Sequence, residues 1–467
     1  MSVAALWSCA WGKRLVRALL WGAGLVVVLW VCVLWGADTT VHNDFTQNVW
    51  LPARLVLDGV DPYFPDRVSV YRALGEYSPL FPIFNSGLEY HSIYPIWVAL
   101  ALTPFALMPL KVATAVWRAV SLLLLVWSVG RVLKASNPEF GSGRLMALVA
   151  VAVTVLLSVM YRGSFLSLFI GQFAMIEFAL LATIWGWLVA SGGHQAMGRR
   201  RKLWGDVLSG LALAVLATKP QVVGLVVVLV GLWALSRGRW AIPASATAWL
   251  ALLLCVPAVF YPDSLRHWLM IVFGGQATSQ MEVSASVWGL SYHWLGENPD
   301  APWQWVALLL SALCVSMLVR PWLNDLLKDR SSPVPMSLPI TLCINSLISP
   351  YMLGYEFTLQ LFSAMVLIAG TGLPGQAQPT ESPVHTRARR HIWLALYVWL
   401  AVLPWVVLLL QTATHREFPA VVQSAAMLVL CLIARPQWQW HGANRGVTTS
   451  NSTALPSMKG VEAIGIN

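Results

Sequence analysis

Apolar runs long enough to cross a bilayer recur along this chain, near 16–37, 112–133, 145–161, 171–191, 203–218, 220–236, 240–261, 303–320, 335–352, 355–373, 391–411 and 416–434. A helix crosses a bilayer core with roughly 20 apolar residues. Water is absent there, so an open backbone would leave its polar groups unpaired and each run must be helical. The pattern predicts an all-α polytopic membrane protein with about 12 transmembrane helices. Of the 467 residues, 58% are hydrophobic and 11% charged, against about 25% charged in soluble chains. The first run is longer than the 7–15-residue core of a secretory signal, and a retained helix is expected.

The formal net charge of +10 raises the question of nucleic acid, and the placement of the charges answers it. Lys13, Arg14 and Arg17 precede the first run, which sets the N-terminus in the cytoplasm. On the resulting topology, 21 of 30 Lys and Arg fall in cytoplasmic segments and 13 of 20 acids in external ones. This is the positive-inside bias of a membrane protein. The segment Ser92–Leu110 is apolar enough to cross, but crossing would put Arg131, Lys134 and Arg144 outside. With Pro95, Pro104 and Pro109 it is expected to be a short helix or hairpin in the external layer.

The first external loop then covers about 38–111 and a second about 262–302, both rich in Trp, Tyr, Pro and Gly and expected to bear interfacial helices. Smaller external turns fall at 161–172, 218–221 and 349–356. The organisation expected is a catalytic transmembrane module over 1–373, a cytoplasmic linker over 374–390, a helix pair over 391–436 and a disordered cytoplasmic tail over 437–467. The six cysteines stand singly, without metal-ligand or redox spacing, and read as packing residues. There is no internal repeat of the kind carriers show in corresponding halves.

The chemistry gathers on the external face. Asp44 follows the first helix by about one turn, where a carboxylate in a low dielectric can act as a general base; as an alternative it caps the helix that begins at Phe45. Asp58 and Asp61 flank Gly59, which also suits turn chemistry. Arg54 faces the same cavity or snorkels to headgroups. Lys219 sits before Pro220 between two apolar helices, a costly place without an anionic partner, and would clamp a phosphate. Arg162 and Gln172 supply donors from another turn, and His91, His267 and His293 are candidate contacts to phosphate or hydroxyl. Tyr351 and Tyr355 suit stacking on sugar faces or an aromatic belt. There is no phosphate-cradling Gly-rich loop, zinc-type His-Glu pair or Gly-x-Ser-x-Gly elbow.

Read in order, Asp44-Phe45, Leu57-Asp58-Gly59-Val60-Asp61-Pro62-Tyr63, Tyr94-Pro95, Gly171-Gln172, Lys219-Pro220-Gln221 and Ser349-Pro350-Tyr351 resemble the membrane glycosyltransferases of family 87, over roughly residues 16–373. The resemblance implies the GT-C architecture and an inverting mannosyl- or arabinofuranosyltransferase. Its donor would be a polyprenyl-phosphate sugar and its acceptor a lipid-linked or cell-envelope glycan hydroxyl. It implies Asp44 as base and a donor phosphate held by Lys219 with His267 or His293, to which the reading of the residues adds Arg54 and Arg162. Sugar and acceptor contacts are expected from Gln172, Gln221, Asp58, Asp61, His91, Tyr94, Tyr351 and Tyr355. The wider GT-C pattern often has an acidic pair in the first loop; here Asn43 precedes Asp44, which favours a reaction without a metal or other cofactor. The expected location is the plasma (inner) membrane, with both termini cytoplasmic, the site outside, and no nucleic-acid partner.

The rival is a lipid-linked-glycan transporter or flippase, which would place cations along a cavity through the membrane. A purely structural membrane subunit is a third reading. The transferase reading requires that Asp44 and Lys219, distant in sequence, share one place.

Overall fold

Prolines and glycines punctuate the chain into helices of very different lengths. The computed structural model describes residues 44–75, 92–137, 145–192, 198–273, 284–296, 302–328, 332, 334–371, 383–414 and 416–434. The helix expected over 16–37, His91, most of the linker and the tail over 437–467 lie outside the described residues. A π-helical turn, Thr46–Trp50, leads into α1 (Leu51–Leu57), which ends where Gly59 takes φ +74°. Asp66 caps α2 (Arg67–Leu74) by accepting from the Ser69 amide at 2.9 Å. Pro95 and Pro109 each open a helix, so Ser92–Leu110 folds as two short pieces, α3 (Ile96–Ala101) and α4 (Thr103–Ala106), before the 27-residue α5 (Leu110–Ser136). That is the broken segment its prolines predict.

Next come α6 (Leu145–Met160) and α7 (Arg162–Ile170), bent by 58° from each other. Here the expectation is corrected: 161–172 is not a simple turn, because the stretch meets no strong helix terminator until Gly171 adopts the left-handed conformation. After α8 (Ala174–Gly192) and α9 (Arg199–Leu216), Pro220 at the first position opens α10 (Pro220–Ser236). The remainder is α11 (Ala241–Phe260), α12 (Ser264–Phe273), α13 (Val287–Leu295), α14 (Trp303–Leu323), α15 (Leu338–Ile348), α16 (Gln360–Thr371), α17 (Pro383–Ala401), α18 (Leu403–Thr414) and α19 (Val421–Ala434). No strand occurs among the described residues.

Five helices among the described residues are long and apolar enough to cross a membrane, or six if the bent pair counts as one span. The expected count of 12 is not confirmed: the run 16–37 lies outside the described residues, and several apolar runs form shorter helices, as α15 and α16 illustrate. Their apolar runs extend over 335–352 and 355–373, yet Ser349-Pro350 and a 3₁₀ turn at Glu356–Leu359 shorten the helices to 11 and 12 residues. At 1.5 Å per residue such helices reach only about 16–18 Å. Every residue of α16 is buried, so α16 packs against protein, with α15 and α19 among its neighbours. The apolar windows of α11 and α14 are only 17% buried, which makes them the lipid-facing periphery. Fully buried Trp117, Trp185, Trp233 and Trp399 fill the centre.

Buried polar side chains tie several of these helices together. Asp206 of α9 accepts from Arg239 Nε at 3.1 Å, tying α9 to the turn after α10. Asn345 of α15 fastens the start of α10, donating to the carbonyls of Gln221 (3.1 Å) and Val222 (2.6 Å) and accepting from the Leu225 amide (3.0 Å). This fixes the helix end that carries Lys219.

Candidate active site

Asp44 is not spent on capping. Asp44 and Phe45 are both already helical and run on into the π turn, so Asp44 is not the cap of a helix beginning at Phe45. Its carboxylate turns across the fold: Gln172 Nε2 donates to Oδ2, and Asn48 Nδ2 donates to Oδ1 at 3.4 Å. Gln172 is 2% exposed, and its Oε1 accepts from the Tyr94 hydroxyl at 3.3 Å. Three segments distant in sequence thus meet in one chain of hydrogen bonds.

Local structure explains the aim of Gln172. Gly171 ends α7 at φ +78°, its carbonyl accepts from Trp117 Nε1 at 2.9 Å, and the Gln172 amide bonds back to the Ser167 carbonyl at 2.9 Å. The Phe45 ring packs on Trp117 with centroids 5.4 Å apart. A Cβ on Gly171 would lie 2.4 Å from the Phe45 Cβ. Gly171→Ala therefore combines a left-handed penalty of roughly 1–2 kcal/mol with a backbone-level clash beside Asp44. We expect a lowered melting temperature together with lost activity; an unchanged melt would show that the close approach does not matter.

Lys219 caps α10 from the other side. Its Nζ lies 2.7 Å from Glu356 Oε1 and 3.8 Å from Glu177 Oε1, and 5.7 Å from the Tyr355 ring centroid. The 2.7 Å approach is outside hydrogen-bonding angles, so the attraction is chiefly charge on charge. Glu356 Oε2 also accepts from the Leu353 amide at 3.1 Å, fixing the loop. Burial alone would depress the Lys219 ammonium, and the two carboxylates more than offset it, holding it firmly charged.

Electrostatics join the two halves. Burial raises the Asp44 carboxyl above the ordinary range, opposed by the Gln172 hydrogen bond and by the Lys219 charge. Burial likewise pushes up the Tyr94 and Tyr355 phenols, and both feel Asp44 and Lys219. Asp44, Tyr94, Gln172, Glu177, Lys219, Tyr355 and Glu356 therefore occupy one neighbourhood, with three carboxyl groups around a single ammonium.

Other residues singled out from the sequence lie in different pairings. Arg54 contacts Asp58 at 3.4 Å one turn along α1, and Asp58 is the C-cap of that helix. Asp61 makes the turn expected of it, accepting from the Tyr63 amide at 2.8 Å, and binds His267 Nδ1 at 2.7 Å. Arg162 is 3% exposed; its guanidinium lies beside Gly354 and near Glu417, and Nε and Nη1 have no hydrogen-bond partner. His293 stacks on Phe418 with centroids 4.2 Å apart. Tyr351 is partly buried in the turn after α15, and Gln221 offers its carbonyl to Asn345. Glu177 and Glu356 were not among the expected site residues. The available signal was the cost of an unpartnered Lys219 in apolar surroundings, which calls for acids embedded in equally apolar stretches.

A helical membrane protein with a buried cluster of acids around one lysine is the class defined so far. The chain belongs to glycosyltransferase family 87, whose model matches residues 93–350, more than half of its length. The match includes Tyr94, Gln172, Glu177 and Lys219; Asp44, Tyr355 and Glu356 lie outside it. No curated protein matches. Among solved structures, ArnT from Cupriavidus metallidurans bound to undecaprenyl phosphate aligns at 18% identity and a TM-score of 0.35, over 90% of this chain and 78% of that one. The apo state of the same protein aligns at 16% identity and a TM-score of 0.33, over 90% and 78%.

Proposed function

We propose that this membrane glycosyltransferase moves a sugar of the mannose or arabinofuranose class from a polyprenyl-phosphate donor to a hydroxyl of a lipid-linked or cell-envelope glycan. The reaction takes place on the extracytoplasmic side, with inversion, in a GT-C architecture and with Asp44 as general base. The observation that carries this reading is the Asp44 carboxylate itself. Its Oδ2 accepts from Gln172, and its Oδ1 accepts a longer hydrogen bond from Asn48 at 3.4 Å. A partly buried carboxyl with a raised proton affinity, whose Oδ1 accepts only this long hydrogen bond and keeps a lone pair, is suited to taking a hydroxyl proton.

In the step itself the acceptor oxygen attacks the anomeric carbon as its proton passes to Asp44 Oδ1. The bond from that carbon to the phosphate oxygen breaks, and polyprenyl phosphate leaves with the electron pair. Lys219, fixed between Glu177 and Glu356, sets the field around the base. Of the cations named for the donor phosphate, Arg54 is engaged by Asp58 and His267 by Asp61. Lys219 is engaged by Glu177 and Glu356; Arg162, although near Glu417, keeps two donors without hydrogen-bond partners, and with His293, which stacks on Phe418, it is proposed for that role. The chemistry is proposed to run without a metal, and activity should survive a chelator.

The test is a panel. Purified protein is incubated with polyprenyl phosphates carrying mannose or arabinofuranose and with alkyl glycosides of the same sugars, and released polyprenyl phosphate is scored. Acceptor-dependent release with one donor is expected. Absence of release across the whole panel would contradict the reading and favour a transporter of lipid-linked glycans.

A further inference from the structure

We propose that Gln172, with its amide oriented by Tyr94, is the positioning residue that fixes which oxygen of Asp44 accepts the substrate proton. The inference rests on Asp44 being the base. A side-chain amide can present either face, and a Gln whose oxygen faced Asp44 would repel it. The ionised carboxylate, which can only accept, selects the amide nitrogen, and Tyr94 reinforces that choice. Its hydroxyl donates to Gln172 Oε1 at 3.3 Å while Nε2 donates to Asp44 Oδ2. Both side chains are buried, with Tyr94 8% and Gln172 2% exposed, so no solvent competes for these groups.

The backbone is arranged for the same end. Gly171 in its left-handed turn, clamped by the Trp117 indole and pressed on Phe45, delivers Gln172 to the residue that adjoins Phe45 in sequence. One constraint thus positions the amide and the carboxylate together. The donated hydrogen bond stabilises the ionised carboxylate and occupies Oδ2, so that Oδ1, which accepts only the longer 3.4 Å bond from Asn48, is the oxygen with a lone pair for the acceptor hydroxyl. The other charged or titratable groups acting here are Lys219 at the start of α10, Glu177 of α8, Glu356 and Tyr355 of the 355–359 segment, and Tyr94 itself. Lys219 favours ionised Asp44.

The experiment measures kcat/KM against pH for wild type, Gln172→Leu, Tyr94→Phe and Asp44→Asn, with the donor and acceptor turned over in the panel above and each variant's folding checked by its thermal melt. Activity needs ionised Asp44, so it falls as pH drops through the Asp44 pKa. Removing the Gln172 donor should move that acidic limb to higher pH by about one unit, a tenfold loss on the acid side, with most activity regained at high pH. Tyr94→Phe frees the amide to rotate and should move the limb in the same direction by less. If Gln172→Leu does not fold, Tyr94→Phe alone decides the matter. Lower activity with an unmoved limb in the folded variants, alongside an inactive Asp44→Asn, overturns this inference and leaves Asp44 as base. An active Asp44→Asn overturns the base assignment instead.

Discussion

Replacing Asp44 by Asn is expected to lower kcat by about 10²–10⁴-fold, the usual worth of a general base, with the donor KM almost unchanged. The substitution is nearly isosteric, and the Asn carbonyl still accepts from Gln172 Nε2, so the chain of bonds through Gln172 to Tyr94 survives. What is lost is the site for the proton. The direction with pH follows from the same geometry. Burial raises the Asp44 carboxyl, so wild-type activity should fade, as pH drops, from a point above the ordinary carboxylate value of about 4. In Asp44→Asn that acidic limb disappears from whatever activity remains. The measurement is a pH profile of polyprenyl phosphate release for both proteins. Equal rates at every pH would remove Asp44 from the mechanism.

The second large effect concerns stability. Lys219→Met leaves Glu177 and Glu356 buried with no cation between them. Breaking a buried ion pair by removing one partner costs about 3–5 kcal/mol, because the remaining charge is uncompensated. We expect a marked fall in melting temperature of the detergent-solubilised protein. The double variant Lys219→Met with Glu356→Gln removes both members of the 2.7 Å pair and should recover a substantial part of the loss. A full-strength melt for the single variant would mean that the two glutamates are already neutral, and that Lys219 is held by something other than charge.

Much of this organisation is legible in the sequence because hydropathy and proline act locally. Pro95, Pro104 and Pro109 mark the broken pieces of 92–110, and Pro220 marks the start of α10 to the residue. Apolar length is a weaker guide. It over-reads α15 and α16, since a short helix packed by protein and one crossing lipid have the same composition. The site divides in the same way. Asp44, Tyr94, Gln172 and Lys219 can be named from motif order and Tyr355 as an aromatic of the external face, and the fold brings them together. The partners of charged groups depend on which helices face each other, which no local pattern specifies. That is why Glu177 and Glu356 go unread as partners of Lys219, and why His267 is claimed by Asp61; the Arg54–Asp58 pair, four residues apart on α1, is local and open to reading.

The central claim, a single displacement driven by Asp44, is tested most directly by the anomeric configuration of the sugar in the product, read by NMR against that of the donor. One attack on the anomeric carbon predicts a product wholly of the opposite configuration. A product that keeps the donor's configuration would require two successive displacements, and Asp44 could not then be the base of a one-step transfer.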